Sequence, residues 1–425
     1  MGPVFALPLE MQEGTVVEDS ELNAFFAQVI GPVIKANPRV RAAKVYLVKS
    51  RDFNAYSVAE PEIFIFSQVI ERGNLPMVVG ILLHELGHAA GHHSMRMEDA
   101  LRTEKWRHAL PALLGAATLN PLAMLGSVGW WMAGTVSKMM VHSREHEYAA
   151  DAFSLRQSKK MGWPTQAIEE TLKFLLTKEK GLSVPGYLKT HPYASERLKA
   201  IRSLSANTAK SFPPEMEDLF QRIKVKVIAY CAPLDSAENR VSSAQVDGVY
   251  KIYGHSICAY RKGLFDKALK LLSDFENKWG GDNVYVQELR CDILWGKGDA
   301  KGAVLSIDQS LKKRPSDILF ALKKAHILFV KGQYTDCEKL LMSFVKKGSH
   351  FPLFWNVLGR VLYKKGQWGE SYVCQAEEIL LLDPGDSNGR ARLCIERASP
   401  SFSKQKKDFF TLRFFEIKKN MNRMK

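Results

Sequence analysis

No cysteine precedes Cys231 in this 425-residue sequence, and the six present (Cys231, Cys258, Cys291, Cys337, Cys374 and Cys394) are widely spaced, with no Cys-x-x-Cys pair. That pattern argues against a thiolate metal site, and most of these cysteines, set among apolar residues, read as core fillers. It leaves the redox compartment open. No zinc-finger spacing occurs, and no aromatic-basic motif of an RNA-binding sheet, so a nucleic-acid partner is not expected. Basic residues are in excess, 60 Lys and Arg against 45 Asp and Glu, and the excess is uneven. Residues 1–205 hold 23 against 20, which leaves 37 against 25 for the second half. That balance suits an anionic partner, a lipid headgroup surface before any other, although a solvated basic face fits as well. The apolar start Met1–Pro8 has neither a basic region nor a full-length apolar core of a secretion signal. Val4-Phe5-Ala6 resembles the small-residue end of one, so the expectation is that the given start lies inside such a signal.

Long apolar runs are scarce too. The one that stands out, Ala109–Ser137, has 29 residues without a charge. A spanning helix needs about 20 apolar residues in a row. Pro121 cuts this run into pieces of 12 and 16, and it also holds Pro111 and four glycines. The reading is a helical hairpin beside the site that dips into one leaflet through Trp130 and Trp131, or one buried in the protein core, with a full span as the third alternative.

What is present is histidine in an unusual place. Gly80-Ile-Leu-Leu-His-Glu-Leu-Gly-His-Ala-Ala-Gly-His-His93 sets four histidines and one glutamate in an apolar or small-residue stretch. The spacing predicts a helix from about Pro76 to His93. His84 and His88, four apart, share one face and can reach one metal ion. Glu85 is one step round, displaced as a ligand but placed to take a proton from an attacking water. His92 and His93 are expected to cap the helix end. A catalytic zinc needs a third protein ligand. The pattern HExxHxxGxxH would require His at 94, where the sequence has Ser94. A carboxylate on a second helix is the alternative. Ser143-Arg-Glu-His-Glu-Tyr-Ala-Ala-Asp151 offers Glu147 and Asp151, four apart on one face, with Glu145 pointing away. One can ligate while the other orients a ligating histidine, and spacing alone leaves the choice open.

HELGH at 84–88, SREHEYAAD at 143–151 and Thr190-His-Pro-Tyr-Ala-Ser-Glu-Arg197, in that order, resemble the membrane-associated zinc metallopeptidases related to the CAAX prenyl protease. The resemblance covers roughly residues 18–205. It implies Glu147 as third ligand, Asp151 behind the ligands, and His191 and Arg197 near the metal. His191 has two open roles: hydrogen bonding to the oxyanion of the tetrahedral intermediate, or filling the open metal position and holding the enzyme off. Asn54-Ala-Tyr-Ser is similar to the family segment that leads into a strand beside the active helix, and Glu62–Phe66 has strand character. An edge strand there would bind extended substrate by backbone pairing. Where the family has Pro-Gly-Gly before this strand, this sequence has Ala59-Glu60-Pro61.

Behind this region a period appears. Gly263, Gly298, Gly332 and Gly366 are each preceded by an aromatic three residues earlier (Tyr260, Trp295, Phe329, Tyr363) and followed by a small residue five later (Ala268, Ala303, Cys337, Ser371). A period near 34 with a turn glycine between helices reads as tetratricopeptide repeats, a peptide-binding surface or a stacking scaffold.

The expected fold class is therefore mainly α: an α-helical zincin-type metalloprotease domain with a small β-sheet, followed by a tetratricopeptide α-solenoid. The expected division is a peptidase domain (1–205), a connecting segment (206–254), repeats (255–390) and a basic C-terminal tail (391–425). The tail mixes Lys and Arg with Phe409, Phe410, Phe414 and Phe415, as a membrane contact or a final packed helix. A peptidase of this family with such repeats is similar to its periplasmic members that assist β-barrel assembly. That implies one Zn²⁺ per chain, protein or peptide substrates in the envelope, and contact with outer-membrane assembly machinery through the repeats. A chaperone-like adaptor with a mostly latent zinc site, and a cytoplasmic peptidase, are the alternatives.

Overall fold

The computed structural model describes residues 11–58, 62–91, 142–179, 186–204, 211–281, 283–383, 386, 388–403 and 408–423. The expectations placed on Met1–Pro8, Ala59–Pro61, His92, His93 and the apolar run 109–137 lie outside these residues. The chain divides into two compact bodies, one ending at Gly281 and one made chiefly of residues 282–425. Both are mainly helical. Among the described residues no helix is long and apolar enough to cross a membrane.

In the first body a four-stranded sheet has the order β1 (Val16–Val17), β2 (Lys44–Val48), β4 (Glu62–Phe66), β3 (Ala55–Ser57). β4 pairs parallel to β2, with Tyr46 opposite Phe64, and antiparallel to β3, with Tyr56 opposite Phe64. This corrects the expectation of an edge strand at Glu62–Phe66. β4 is flanked on both sides, and Ile63, Phe64, Ile65 and Phe66 are all buried rather than alternating in and out, so both faces of the sheet are covered there. The outer positions belong to β1 and β3, and β3 is itself buried.

Beside the sheet lies α3 (Leu75–Ala90), after α1 (Ser20–Ala36) and α2 (Ser67–Arg72). The Asn74 side chain caps α3 by accepting from Met77 N at 3.0 Å, and Pro76 sits in the first turn, where no backbone donor is needed. The helix ends at Gly91, about two residues short of the expected end. Apart from His84, Glu85 and His88 it is apolar all round, so it belongs in the interior, and residues Met77 to Ala89 are all buried. Two glycines bring its neighbours close. A Cβ on Gly80 would stand 2.7 Å from the backbone of Ala167, at the start of α5 (Ala167–Glu179); one on Gly87 would stand 2.8 Å from Cα of Ala150 in α4 (Arg144–Met161). The short α6 (Gly186–Thr190) and α7 (Ala194–Leu204) complete the surroundings of α3 and α4.

α8 (Pro214–Cys231) packs on α1, α2 and, further on, α10 (Gly248–Arg261), which is paired with α11 (Phe265–Trp279) after the small α9 (Ala237–Ser243). A buried ionic knot ties these parts. Glu21 of α1 accepts from Arg222 Nε at 2.7 Å and from Lys226 and Tyr253 at 3.3 and 3.4 Å.

The second body is a row of helix pairs: α12 (Val284–Lys297) with α13 (Ala300–Lys313), α14 (Ile318–Val330) with α15 (Tyr334–Gly348), and α16 (Pro352–Lys364) with α17 (Trp368–Leu382). Each pair turns at a glycine of the sequence period, Gly298, Gly332 and Gly366, with φ of 93°, 74° and 78°. The small residues Ala303, Cys337 and Ser371 are buried where partner helices meet. α18 (Arg390–Ala398) and α19 (Phe409–Arg423) close the row. Phe410, Phe414, Ile417 and Met421 of α19 enter the same apolar core as Phe354, Trp355 and Leu358. The aromatic tail is a packed helix, because its Phe spacing puts one apolar stripe against the last pair.

Candidate metal centre

Three segments far apart in sequence meet at one point. α3 contributes His84, Glu85 and His88, and all three are fully buried. α4 starts at Ser143, whose hydroxyl accepts from His146 N, and its buried face carries Glu147 and Asp151; Glu145 is exposed. The contact of Gly87 with Ala150 sets the level at which these helices face each other. The third segment is α6 with the loop after it. It is hung on the chain leading into β3: Gly186 N donates to Asp52 Oδ1 at 3.0 Å, Tyr187 N to the Phe53 carbonyl at 3.1 Å, and the Thr190 hydroxyl to Asn54 Oδ1 at 3.4 Å. This places His191, fully buried, over the two histidines of α3.

The donor atoms converge tightly. His84 Nε2 lies 3.0 Å from His88 Nε2, 3.4 Å from Glu147 Oε2 and 3.4 Å from His191 Nδ1. Glu147 Oε1 lies 3.3 Å from His88 Nε2 and 3.0 Å from His191 Nδ1. A tetrahedral zinc with bonds of about 2.0–2.1 Å has donor–donor edges of about 3.3–3.4 Å, so these four side chains already stand near the corners that zinc requires. Charge leads to the same ion. Among the described residues, Glu85, Glu147 and Asp151 are buried with one compensating guanidinium, Arg197. Three carboxylates against one arginine leave an excess of two negative charges, which a divalent cation balances. The residues present therefore fit Zn²⁺.

Behind the donors stand their supports. Asp151 Oδ1 is 2.9 Å from His84 Nδ1, the nitrogen turned away from the cluster, and this fixes the ring so that Nε2 faces inward. Arg197 holds Asp151 with two hydrogen bonds of 2.8 and 2.7 Å, and its third nitrogen lies 2.5 Å from Glu147 Oε2. Burial alone would raise the pKa of Glu147, but Arg197 and His191 outweigh it and hold the carboxyl well below its ordinary range. Asp151 is likewise lowered by Arg197 against burial. Burial and Arg197 oppose a proton on His84, yet the carboxylates of Asp151 and Glu147 prevail and lift it to about 9. The surroundings of that ring thus favour a positive charge, proton or metal.

On the other side, Glu85 Oε1 lies 3.3 Å from His191 Nε2 and accepts from the Tyr187 hydroxyl at 3.4 Å. Glu85 Oε2 is buried and has no hydrogen-bond partner among the described residues. Two residues escaped sequence reasoning. Tyr187 stacks on His191 with centroids 4.2 Å apart; its position four before His191 was the available signal. His142 stacks on His88 at 3.8 Å, and its only sequence signal was adjacency to the Ser143 cap.

Comparison with known proteins agrees with this geometry. Residues 17–205 match the profile of Peptidase family M48. The chain is 23% identical over 329 residues to the Beta-barrel assembly-enhancing protease of Escherichia coli (strain K12), covering 74% of this chain and 66% of that protein. It is 30% identical over 165 residues to Metalloprotease YcaL of the same organism, covering 39% of this chain and 62% of YcaL. Against Metalloprotease LoiP it is 27% identical over 172 residues, 39% of this chain and 64% of LoiP. The chain thus spans just under two thirds of the length of these relatives. HELGH and its carboxylate partner lie inside the segment, residues 17–205, that matches Peptidase family M48, and they converge on one point.

Proposed function

We propose that this chain is a zinc-dependent endopeptidase that hydrolyses peptide bonds of misfolded or stalled cell-envelope proteins. In this reading His84, His88 and Glu147 hold the metal, Asp151 and Arg197 position those ligands, and Glu85 is the general base. The observation that carries it is the convergence of two imidazoles and a carboxylate beside a second carboxylate with one oxygen that has no partner among the described residues. Bound zinc supplies Lewis acidity, which polarises a carbonyl and brings the acidity of water to about pH 7. The protein does the rest. Glu85 accepts a proton from the attacking water and passes it to the departing amine. His191 closes the cluster on the side of Glu85. The repeats serve to hold substrate or partner proteins, including outer-membrane assembly machinery, and the envelope setting is drawn from the likeness to the Beta-barrel assembly-enhancing protease. Peripheral contact with a membrane fits the basic second half.

The test is metal analysis of the purified full chain together with casein digestion, with and without chelator and against a Glu85→Gln variant. About one zinc per chain and cleavage lost in both controls is the expected result. Equal inertness of the wild type and Glu85→Gln would refute it. A second reading has an observation in its favour. His191 Nδ1 stands at a fourth donor position and the whole cluster is buried, as suits a chaperone-like adaptor with a mostly latent site. His191→Ala separates the two roles: a loss of cleavage assigns His191 to transition-state stabilisation, a gain assigns it to restraint.

A further inference from the structure

We propose that Tyr187 is a positioning residue for Glu85: its phenol anchors one carboxylate oxygen and so commits the other to proton transfer. The inference rests on the peptidase reading above and concerns how the base is made effective.

A glutamate on a helix has three rotatable side-chain bonds, and both of its oxygens are equally basic in water. Directional proton transfer requires that one be tied down. Here the two oxygens are not equivalent. Oε1 is addressed twice, by the Tyr187 hydroxyl at 3.4 Å and by His191 Nε2 at 3.3 Å. Oε2 is buried and receives no hydrogen bond among the described residues. The phenol is itself held from three directions. Its ring stacks on His191, with centroids 4.2 Å apart and planes at 25°. It meets Phe53 edge-on at 6.5 Å. Its backbone N donates to the Phe53 carbonyl at 3.1 Å, so the chain entering β3 fixes its height. A tyrosine has only two side-chain torsions, so a hydroxyl held this way loses little further freedom on donating a hydrogen bond.

The proton inventory closes without Tyr187 changing state. The water oxygen forms a bond to the carbonyl carbon while its proton goes to Glu85 Oε2. That proton then moves to the amide nitrogen as the C–N bond breaks. Tyr187, whose phenol is pushed well above the ordinary range by burial and by the neighbouring Glu85 carboxylate, keeps its proton throughout and serves as donor to Oε1.

Tyr187→Phe in the full chain keeps the ring and both aromatic contacts and removes only the hydroxyl. The expected result is a fall of about tenfold or more in kcat for casein-derived peptides, KM within about twofold, unchanged zinc content and an unchanged urea midpoint. A kcat within twofold of wild type overturns the proposal. So does a loss of zinc or a lowered midpoint that accounts for the lost activity, because the hydroxyl would then serve packing or metal retention. If wild type and Glu85→Gln are equally inactive, the peptidase reading falls and this proposal falls with it, whereas wild-type cleavage with an indifferent Tyr187→Phe defeats this proposal alone.

Discussion

At the level of single residues, the metal cluster is organised by what stands behind each donor. Asp151 holds the outer nitrogen of His84, and Arg197 grips Asp151 with two hydrogen bonds while touching Glu147. Asp151→Asn should keep the fold but weaken zinc affinity by about 10–100-fold, read by competition with a chromogenic chelator. Arg197→Met should cost more in stability, about 3–5 kcal/mol, because it strands two buried carboxylates, and a urea titration of the metal-free chain reads it. Acid sensitivity has a separate source in the repeats. Burial, helped by Arg360, lowers the pKa of His326 to about 4. The native state therefore binds fewer protons there than the unfolded chain, and stability falls as pH drops from about 6.5 to about 4, by about 2–3 kcal/mol. His326→Leu should flatten that part of the curve of urea midpoint against pH. The pair His84 and His88 was legible in the sequence because four residues on a helix return to one face. Glu147 and Asp151 obey the same rule, so which of them stands among the inward-facing imidazole nitrogens was not: the level at which α4 lies against α3 puts Glu147 there and Asp151 behind His84. Tyr187 was hidden because its partner Glu85 is 102 residues away.

At the level of elements, two glycines of different kinds show how helices are placed. Gly87 has no unusual backbone; a Cβ there would collide with the Ala150 backbone at 2.8 Å. Gly87→Ala should push α4 off α3, cost about 1–3 kcal/mol, and reduce zinc binding and cleavage together. Gly366 sits in open space with φ of +78°. Gly366→Ala should cost about 1 kcal/mol through the backbone alone and leave zinc content unchanged. Urea midpoints and metal analysis on the two variants distinguish contact from conformation. The period of turn glycines made the helix pairs readable, since each turn needs the left-handed backbone. The position of β4 in the sheet was not readable. Its partner β3 has only three residues, too few to carry a pattern, and it converts an expected edge into an inner strand.

At the level of the molecule, the first body is held together by buried charge as well as by apolar packing. Glu21 is fully buried and accepts from Arg222, Lys226 and Tyr253, which joins the first helix of the body to helices more than 200 residues later. Arg222→Met should lower the stability of this body by about 3–5 kcal/mol by leaving Glu21 short of charge, with the unfolding of its tryptophans as readout. No sequence pattern announces such a pairing, because a glutamate near a helix start ordinarily reads as a favourable surface charge. The complete burial of His84, His88, Glu147 and His191 bears on kinetics as well as affinity. An ion enclosed on that scale leaves at the pace of local unfolding, not of collision with a scavenger. Its escape should thus show a plateau rate, indifferent to further increases in chelator concentration and steeply dependent on temperature.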